Sequence, residues 1–311
     1  MRQIDILKDG WDVIIVLDAM RYDHFSELHK YFFDGILEVS RSAGSCTKEW
    51  FINTFQERMP GTIYISANPF INSSKDDKRC KAARIFDRVI DVWLNHWDEH
   101  LGSVLPTSVN KVALSLEMNG RVIIHYLQPH APYLTPRGFV YGFPNPRSQR
   151  NPLSGIGIEE ESYKKLKSKI FKASSILASF LRVPNGYVFR MAEAIGLPPL
   201  SPLDATRRKY GVDGLVRAYK DNVLVALDAA SRLAERFIGS GLNVVVTSDH
   251  GELLGEGGNF SHPCGSKSEL LRNVPVLHVK SVKERRPEMM KLIYSTKVML
   301  MRDKIQRSLF T

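Results

Sequence analysis

The sequence predicts an α/β fold with a doubly wound, mostly parallel central sheet flanked by helices. Three observations favour it: short apolar runs rich in valine and isoleucine, helical patterns between them, and turn residues at their ends. The runs lie at 13–17, 36–39, 62–65, 122–127, 244–247 and 274–279. Continuous apolar runs of this length are typical of strands buried on both faces of a parallel sheet.

The clearest helical pattern covers residues 215–238. Its apolar residues recur at helical spacing, and the glycines Gly239 and Gly241 provide a stop signal. The apolar run at 244–247 follows almost directly. A helix that leads into a buried strand is the repeating unit of a doubly wound fold.

The chain of 311 residues, 43% of them hydrophobic, is predicted to form a single domain over 1–311. Prolines and glycines are concentrated at the start of segment 136–212, which predicts an insertion between sheet elements that covers the site. Segment 287–310 mixes apolar residues with lysines and arginines, which predicts a basic C-terminal helix.

The net charge of +10 is concentrated in the tail, where residues 280–311 carry nine Lys and Arg against three Asp and Glu. Such a tail is either an ordinary solvated helix or a contact for an anionic membrane or glycan surface. No nucleic-acid-binding module is recognisable, so no nucleic-acid partner is expected. Neither a membrane-length apolar run nor a signal peptide is recognisable, which predicts a cytoplasmic location, either free or peripheral to a membrane.

The three cysteines are Cys46, Cys80 and Cys264. They lack close pairing and zinc-finger spacing. The sequence therefore predicts neither a disulfide framework nor a cysteine-rich zinc site.

Polar residues follow the apolar runs where a parallel sheet binds its ligands. Asp18 closes the first run, and Asp249 and His250 follow the fifth, with Gly251 allowing a tight turn. Carboxylate and imidazole groups are ligands of divalent cations. The alternative is that these residues cap helices or turns.

Two histidines lie around the end of the fourth run. His130 stands in a proline-rich loop, whereas His125 lies inside the run and is equally compatible with a buried core residue. His262 follows a glycine-rich loop close in sequence to Asp249, although a surface histidine is the alternative. Imidazoles at such positions bind metals, hold anionic oxygens or protonate leaving groups.

Small and hydroxyl residues precede a predicted helix start after the second run. A hydroxyl of Ser45 or Thr47, or the thiol of Cys46, would be placed as a nucleophile there. The helix N-terminus would stabilise a phosphate or sulfate group. The alternative is that Thr47 is an ordinary N-cap.

Several motifs together resemble the alkaline phosphatase superfamily, on its sulfatase-like branch. They are Leu-Asp-Ala-Met-Arg-Tyr-Asp at 17–23, Tyr-Ile-Ser-Ala-Asn-Pro-Phe at 64–70, Gln-Pro-His-Ala-Pro-Tyr at 128–133, Ser-Asp-His-Gly-Glu at 248–252 and Ser-His-Pro at 261–263. The resemblance covers about residues 11–279 and is greatest to uncharacterised archaeal sulfatase-like proteins. It implies an alkaline phosphatase-like fold and a metal-dependent hydrolase or group transferase that acts on phosphate or sulfate esters.

The resemblance also implies roles for individual side chains. The expected metal ligands are Asp18, Asp249 and His250. The expected catalytic residues are Thr47, His130 and His262. The expected substrate-binding residues are His125, Arg21 and Ser45. The cofactor would be a divalent ion (Mn, Zn, Ca or Mg) at one site, with a second site left open. The implied reaction is in-line attack by Thr47, followed by attack of water or an acceptor on the covalent intermediate.

Two departures from the family pattern refine this expectation. The residues after Cys46 do not form the formylglycine motif of sulfatases, which favours a phosphate ester over a sulfate ester. No histidine lies between His130 and His250, so we expect one metal with two histidines as anion contacts, as in lipoteichoic acid synthase-type enzymes. Asp221 and Asp228 are interpreted as solvated helix residues. The alternatives are a sulfatase with an unusual nucleophile and an inactive relative that binds an anion or glycan.

Overall fold

The structure is a computed structural model, and it describes residues 2–7, 10–74, 80–117, 120–148 and 184–284. The predicted basic helix at 287–310 lies outside the described residues. So does segment 149–183, which forms much of the predicted insertion at 136–212.

Eleven strands are present in the described part of the chain. They are β1 (Val13–Asp18), β2 (Phe33–Arg41), β3 (Met59–Ser66), β4 (Phe86–Asp91), β5 (Trp97–Asp98), β6 (Ser103–Val104), β7 (Arg121–Pro129), β8 (Val244–Thr247), β9 (Leu253–Leu254), β10 (Phe260–Ser261) and β11 (Asn273–Val282). All six predicted runs form strands. The prediction missed β4, because charged residues interrupt its apolar pattern at the edge of the sheet.

Eight α-helices surround these strands in the same described residues. They are α1 (Tyr22–Leu28), α2 (Thr47–Thr54), α3 (Ala82–Ile85), α4 (Val92–His96), α5 (Pro106–Leu114), α6 (Gly186–Ala194), α7 (Pro202–Gly239) and α8 (Glu269–Arg272). None of the helices in the described residues is long and apolar enough to cross a membrane.

Seven strands form the central sheet in the order β2-β11-β8-β1-β7-β3-β4. β11 runs antiparallel to both of its neighbours, whereas the other neighbouring strands pair in parallel. The predicted α/β fold with a mostly parallel sheet is therefore confirmed. Since β7 and β8 flank β1, the carboxyl ends of these three strands lie side by side.

The sheet is covered on both faces, as a doubly wound fold requires. Along β1, Val13, Ile15 and Leu17 belong to one hydrophobic core, whereas Ile14 and Val16 belong to the other. Because successive side chains of a strand point to opposite faces, a fully apolar strand supplies both cores.

Helix α7 begins earlier than predicted, at Pro202 rather than near residue 215. Ser201 caps it by accepting a hydrogen bond from the backbone N–H of Asp204, and proline is favourable in the first turn. Gly211, with φ of 70°, kinks the helix.

The expectation that Asp221 and Asp228 are solvated is wrong, because both side chains are buried on α7. Arg137 Nη2 lies 2.9 Å from Asp221 Oδ1, and Arg232 Nε lies 3.0 Å from Asp228 Oδ2. Each buried carboxylate is thus paired with an arginine, as burial of a charge demands.

Tyr219 of α7 supports the turn that follows β1. Its hydroxyl donates a hydrogen bond to the carbonyl oxygen of Ala19 (2.7 Å) and accepts one from the backbone N–H of Arg21 (2.9 Å). Ala19 has a φ of 60°, an uncommon conformation for a residue other than glycine. The buried tyrosine therefore helps to hold the backbone next to Asp18.

Candidate active site

Five side chains meet at the carboxyl ends of the central strands. They are Asp18 at the end of β1, Thr47 at the start of α2, His125 in β7, and Asp249 and His250 directly after β8. Asp18, His125 and Asp249 each offer a ligand atom, and these atoms lie within 4.8 Å of one another. Since parallel strands end at the same edge, the topology brings residues from distant parts of the sequence together.

Asp249 is the most heavily hydrogen-bonded carboxylate of this cluster. Its Oδ1 accepts from the backbone N–H groups of Ala19 (3.0 Å) and His250 (2.9 Å). Its Oδ2 accepts from the hydroxyl of Thr47 (2.7 Å). Burial disfavours the charged form, but the neighbouring imidazoles and these hydrogen bonds outweigh burial and lower the pKa of Asp249.

Asp18 accepts fewer hydrogen bonds than Asp249. Its Oδ2 accepts a hydrogen bond from Asn68 Nδ2 (2.8 Å), whereas its buried Oδ1 has no hydrogen-bond partner among the described residues. Burial, and next the negative charge of Asp249, raise the pKa of Asp18 well above its usual value. A divalent cation would satisfy the orphaned oxygen and compensate both carboxylates, so this donor set fits a metal.

His250 presents a ring nitrogen to the two carboxylates. Its Nδ1 donates to the carbonyl oxygen of Gly251 (2.8 Å), which leaves the lone pair of Nε2 available. Nε2 lies 3.3 Å from Asp249 Oδ2 and 3.8 Å from Asp18 Oδ1. Burial lowers the pKa of His250 to about 4, so the neutral form that binds metals is favoured.

His125 belongs to the same cluster. Its Nε2 is 3.9 Å from Asp18 Oδ2 and 3.9 Å from Asp249 Oδ2. Its Nδ1 lies 2.8 Å from the hydroxyl oxygen of Tyr64. The structure therefore places this predicted substrate-binding residue beside the predicted metal ligands.

A second cluster adjoins the first and consists of His130, Glu252 and His262, whose ligand atoms lie within 4.8 Å of one another. His262 Nδ1 lies 2.9 Å from Glu252 Oε1. The ring centroid of His262 is 5.0 Å from that of His130 and 4.4 Å from that of His250. The two predicted catalytic histidines therefore lie beside the predicted metal ligands.

Glu252 received no role from sequence reasoning, although it lies only two residues after His250 and is buried. Burial lowers the pKa of His262, but the charge of Glu252 and the hydrogen bond to it outweigh burial and raise this pKa above its usual value. Burial, and next the charge of His262, lower the pKa of His130. One imidazole of the pair is thus favoured as cation and the other as neutral ring.

Ser45 and Arg21 lie outside both clusters. The hydroxyl of Ser45 donates to the carbonyl oxygen of Pro263 (2.9 Å) and accepts from the N–H of Ser266 (3.1 Å). Arg21 Nη2 lies 2.6 Å from Asp23 Oδ2, and its Nη1 bonds to Glu256. Both side chains tie loops together, and their substrate-binding roles stay predictions.

A disulfide joins Cys46 to Cys264 across 218 residues of sequence. The prediction that no disulfide framework exists is therefore wrong for this pair. Cys46 directly precedes Thr47, and Cys264 follows His262 by two residues. The spacing of the cysteines along the sequence does not indicate this pair, because only the fold brings the two loops together. In the oxidised protein Cys46 has no thiol, so it is not available as the nucleophile.

Comparisons with known proteins yield matches to solved structures alone, because no protein-family profile and no curated protein sequence matches the chain. The periplasmic domain of a phosphoethanolamine transferase from Escherichia coli, crystallised with zinc, shares 11% identity at a TM-score of 0.44; the match covers 93% of this chain and 77% of that one. A phosphonate monoester hydrolase from Silicibacter pomeroyi shares 16% identity at a TM-score of 0.42, with 88% and 68% covered. The lipoteichoic acid synthase LtaP from Listeria monocytogenes shares 12% identity at a TM-score of 0.40, with 88% and 66% covered.

All three source organisms are bacteria, so the predicted resemblance to archaeal proteins finds no support in them. The identities and TM-scores are low. The function of this chain is therefore argued from the geometry of its own site.

Proposed function

We propose that this protein hydrolyses or transfers phosphate esters through a covalent intermediate on Thr47, next to a divalent cation held by Asp18, Asp249 and His250. One observation carries the proposal: the Thr47 hydroxyl lies 2.7 Å from Asp249 Oδ2 and 3.2 Å from His250 Nε2. A hydroxyl in contact with two candidate metal ligands, at the first residue of a helix, is placed for activation as a nucleophile.

The donor set restricts the choice of cation. Two carboxylates suit any hard divalent ion, whereas the imidazole of His250 favours Mn or Zn over Mg or Ca. Such a cation, when bound, would neutralise charge on the phosphate group and lower the pKa of the hydroxyl. The sequence prediction of one divalent metal is kept, and a second ion at the His130, Glu252 and His262 cluster stays open.

The chain's own residues account for both halves of the reaction. In the first half, Thr47 Oγ1 bonds to phosphorus, the bond to the ester oxygen breaks, and the hydroxyl proton passes to Asp249 Oδ2. In the second half, water or an acceptor hydroxyl bonds to phosphorus and gives its proton to His262. The bond from phosphorus to Thr47 Oγ1 breaks, and Thr47 Oγ1 takes back the proton from Asp249 Oδ2. The N-terminus of α2 contributes backbone N–H groups toward the phosphate oxygens.

His262 is suited to protonate the leaving oxygen, because its pKa is raised and its ring lies against that of His250. We expect His262→Gln to lower kcat for an alkyl phosphate by about 10²- to 10⁴-fold. The loss for p-nitrophenyl phosphate should be much smaller, since nitrophenolate leaves without a proton. Steady-state kinetics with both esters measures the difference, with His278→Gln, at an exposed position, as the control. Equal losses for the two esters would contradict this role.

The proposal as a whole is tested with metal-stripped protein. Hydrolysis of p-nitrophenyl phosphate, bis-p-nitrophenyl phosphate and p-nitrophenyl sulfate is measured after adding back Mn, Zn, Mg or Ca. We expect the wild type to turn over a phosphate ester only when the cation is present. Asp249→Asn should lose both this turnover and cation binding. Asp213→Asn, at an exposed position on α7, should keep both.

The outcomes separate the alternatives. Turnover of the sulfate alone would support a sulfatase. Cation binding without turnover of any ester would support an inactive anion- or glycan-binding relative and would contradict the enzyme. Full activity of Asp249→Asn would contradict the site itself. A cytoplasmic location, and contact of the basic C-terminus with an anionic membrane or glycan surface, stay proposals.

A further inference from the structure

We infer that His125 is a further ligand of the cation, held in position by Tyr64; the inference rests on the cation site of the proposed function. Sequence reasoning expected His125 either to bind substrate or to fill the core. The geometry points instead to coordination of the cation by His125 Nε2.

The burial of His125 is the first observation. Its side chain is fully buried in β7, in register with Val16 of β1 on one side and Ser66 of β3 on the other. Its Nε2 has no hydrogen-bond partner among the described residues. A histidine that only fills a core would normally have both ring nitrogens hydrogen-bonded, because an unsatisfied polar atom is costly when buried.

The distances around this nitrogen are the second observation. The 3.9 Å from Nε2 to each of Asp18 Oδ2 and Asp249 Oδ2 is too long for a hydrogen bond. The distance is still compatible with two ligand atoms that share one ion, since two zinc bonds of about 2.0–2.2 Å each allow a separation of at most about 4.4 Å. The nitrogen therefore faces the same space as the two carboxylates, and no other polar atom of the described residues is its partner.

The support of the ring is the third observation. Tyr64 Oη lies 2.8 Å from Nδ1, and the ring of Trp50 packs edge-on with its centroid 5.6 Å from that of His125. Histidines that bind metals usually hydrogen-bond through their other nitrogen, which fixes the tautomer and the ring orientation. Tyr64 is fully buried as well, so it acts as a positioning residue.

The imidazole count at the metal tests the inference directly. Protein loaded with half an equivalent of zinc is studied by X-ray absorption, in which each coordinated imidazole contributes a characteristic multiple-scattering signal. We expect two imidazoles in the wild type, from His125 and His250, and one in His125→Gln. The control is His24→Gln. His24 lies on α1, where its half-buried ring packs against Tyr219 of α7, so the variant should leave the count at two.

A second variant keeps every ligand in place. Tyr64→Phe removes only the hydrogen bond to Nδ1, so zinc affinity measured by competition with a chelator should fall by about 10- to 100-fold. A single imidazole in the wild type, with unchanged affinity in His125→Gln and Tyr64→Phe, would overturn the inference. If Asp249→Asn loses zinc whereas His125→Gln and Tyr64→Phe keep it, the proposed function stands and this inference fails. If the wild type binds no divalent ion, the proposed function fails as well.

Discussion

Replacing Thr47 by alanine is expected to lower kcat for the best phosphate ester by roughly 10³- to 10⁶-fold, the range seen when an enzyme loses its nucleophile. The physical reason is that Thr47 Oγ1 is the hydroxyl that bonds to Asp249 Oδ2 and lies beside His250 Nε2. Steady-state kinetics measures the loss. Thr47→Ser should retain part of the activity, because it keeps the hydroxyl.

The covalent intermediate gives this prediction a second measurement. Rapid quenching followed by peptide mass spectrometry should find the phosphoryl group on Thr47 in the wild type and none on that peptide in Thr47→Ala. Thr107→Ala is a matched control, since Thr107 is an exposed threonine in the first turn of α5. Retained turnover in Thr47→Ala, or label on Ser45, would refute the assignment of the nucleophile.

Loss of the disulfide between Cys46 and Cys264 is expected to have the second large effect. The bond ties the residue before Thr47 to the loop that carries His262. A misplacement of about 1 Å between reacting groups costs on the order of 10²-fold in rate. We therefore expect Cys46→Ser combined with Cys264→Ser to lower kcat by about 10- to 100-fold.

Stability should fall in the same double variant. A disulfide of this kind contributes about 2–5 kcal/mol to the free energy of unfolding, which denaturant titration measures. Treatment of the wild type with dithiothreitol should reproduce both losses, whereas the double variant should not respond to it. Unchanged kinetics and stability after verified reduction would show that the bond does not position the site.

The disulfide also bears on the location of the protein. Structural disulfides persist in oxidising compartments and are rare in the cytoplasm, except in hyperthermophiles. The bond therefore weighs against the cytoplasmic location expected from the sequence, which stays untested. Alkylation of the thiols in intact cells, followed by mass spectrometry of the peptides with Cys46 and Cys264, would report the redox state.

The sequence alone was sufficient for the class of fold and for much of the candidate site. Continuous apolar runs predict buried strands because a strand covered on both faces has no solvated side, as β1 and β8 show. Asp18, Asp249 and His250 were candidates because ligands bind at strand ends in parallel sheets, and their role as metal ligands stays a prediction. β4 was missed because an edge strand is partly solvated and alternates with charged residues.

Only the tertiary structure decided which of these residues act together and which do not. It paired Cys46 with Cys264, brought Glu252 together with His130 and His262, and placed the Nε2 atom of His125, which has no hydrogen-bond partner among the described residues, near two carboxylates. The sequence determines the local pattern and the strand ends, because periodicity and turn chemistry act over a few residues. Contacts between residues this far apart in the chain, such as Cys46 and Cys264 at a separation of 218 positions, depend on strand order and loop paths, which only the folded chain defines.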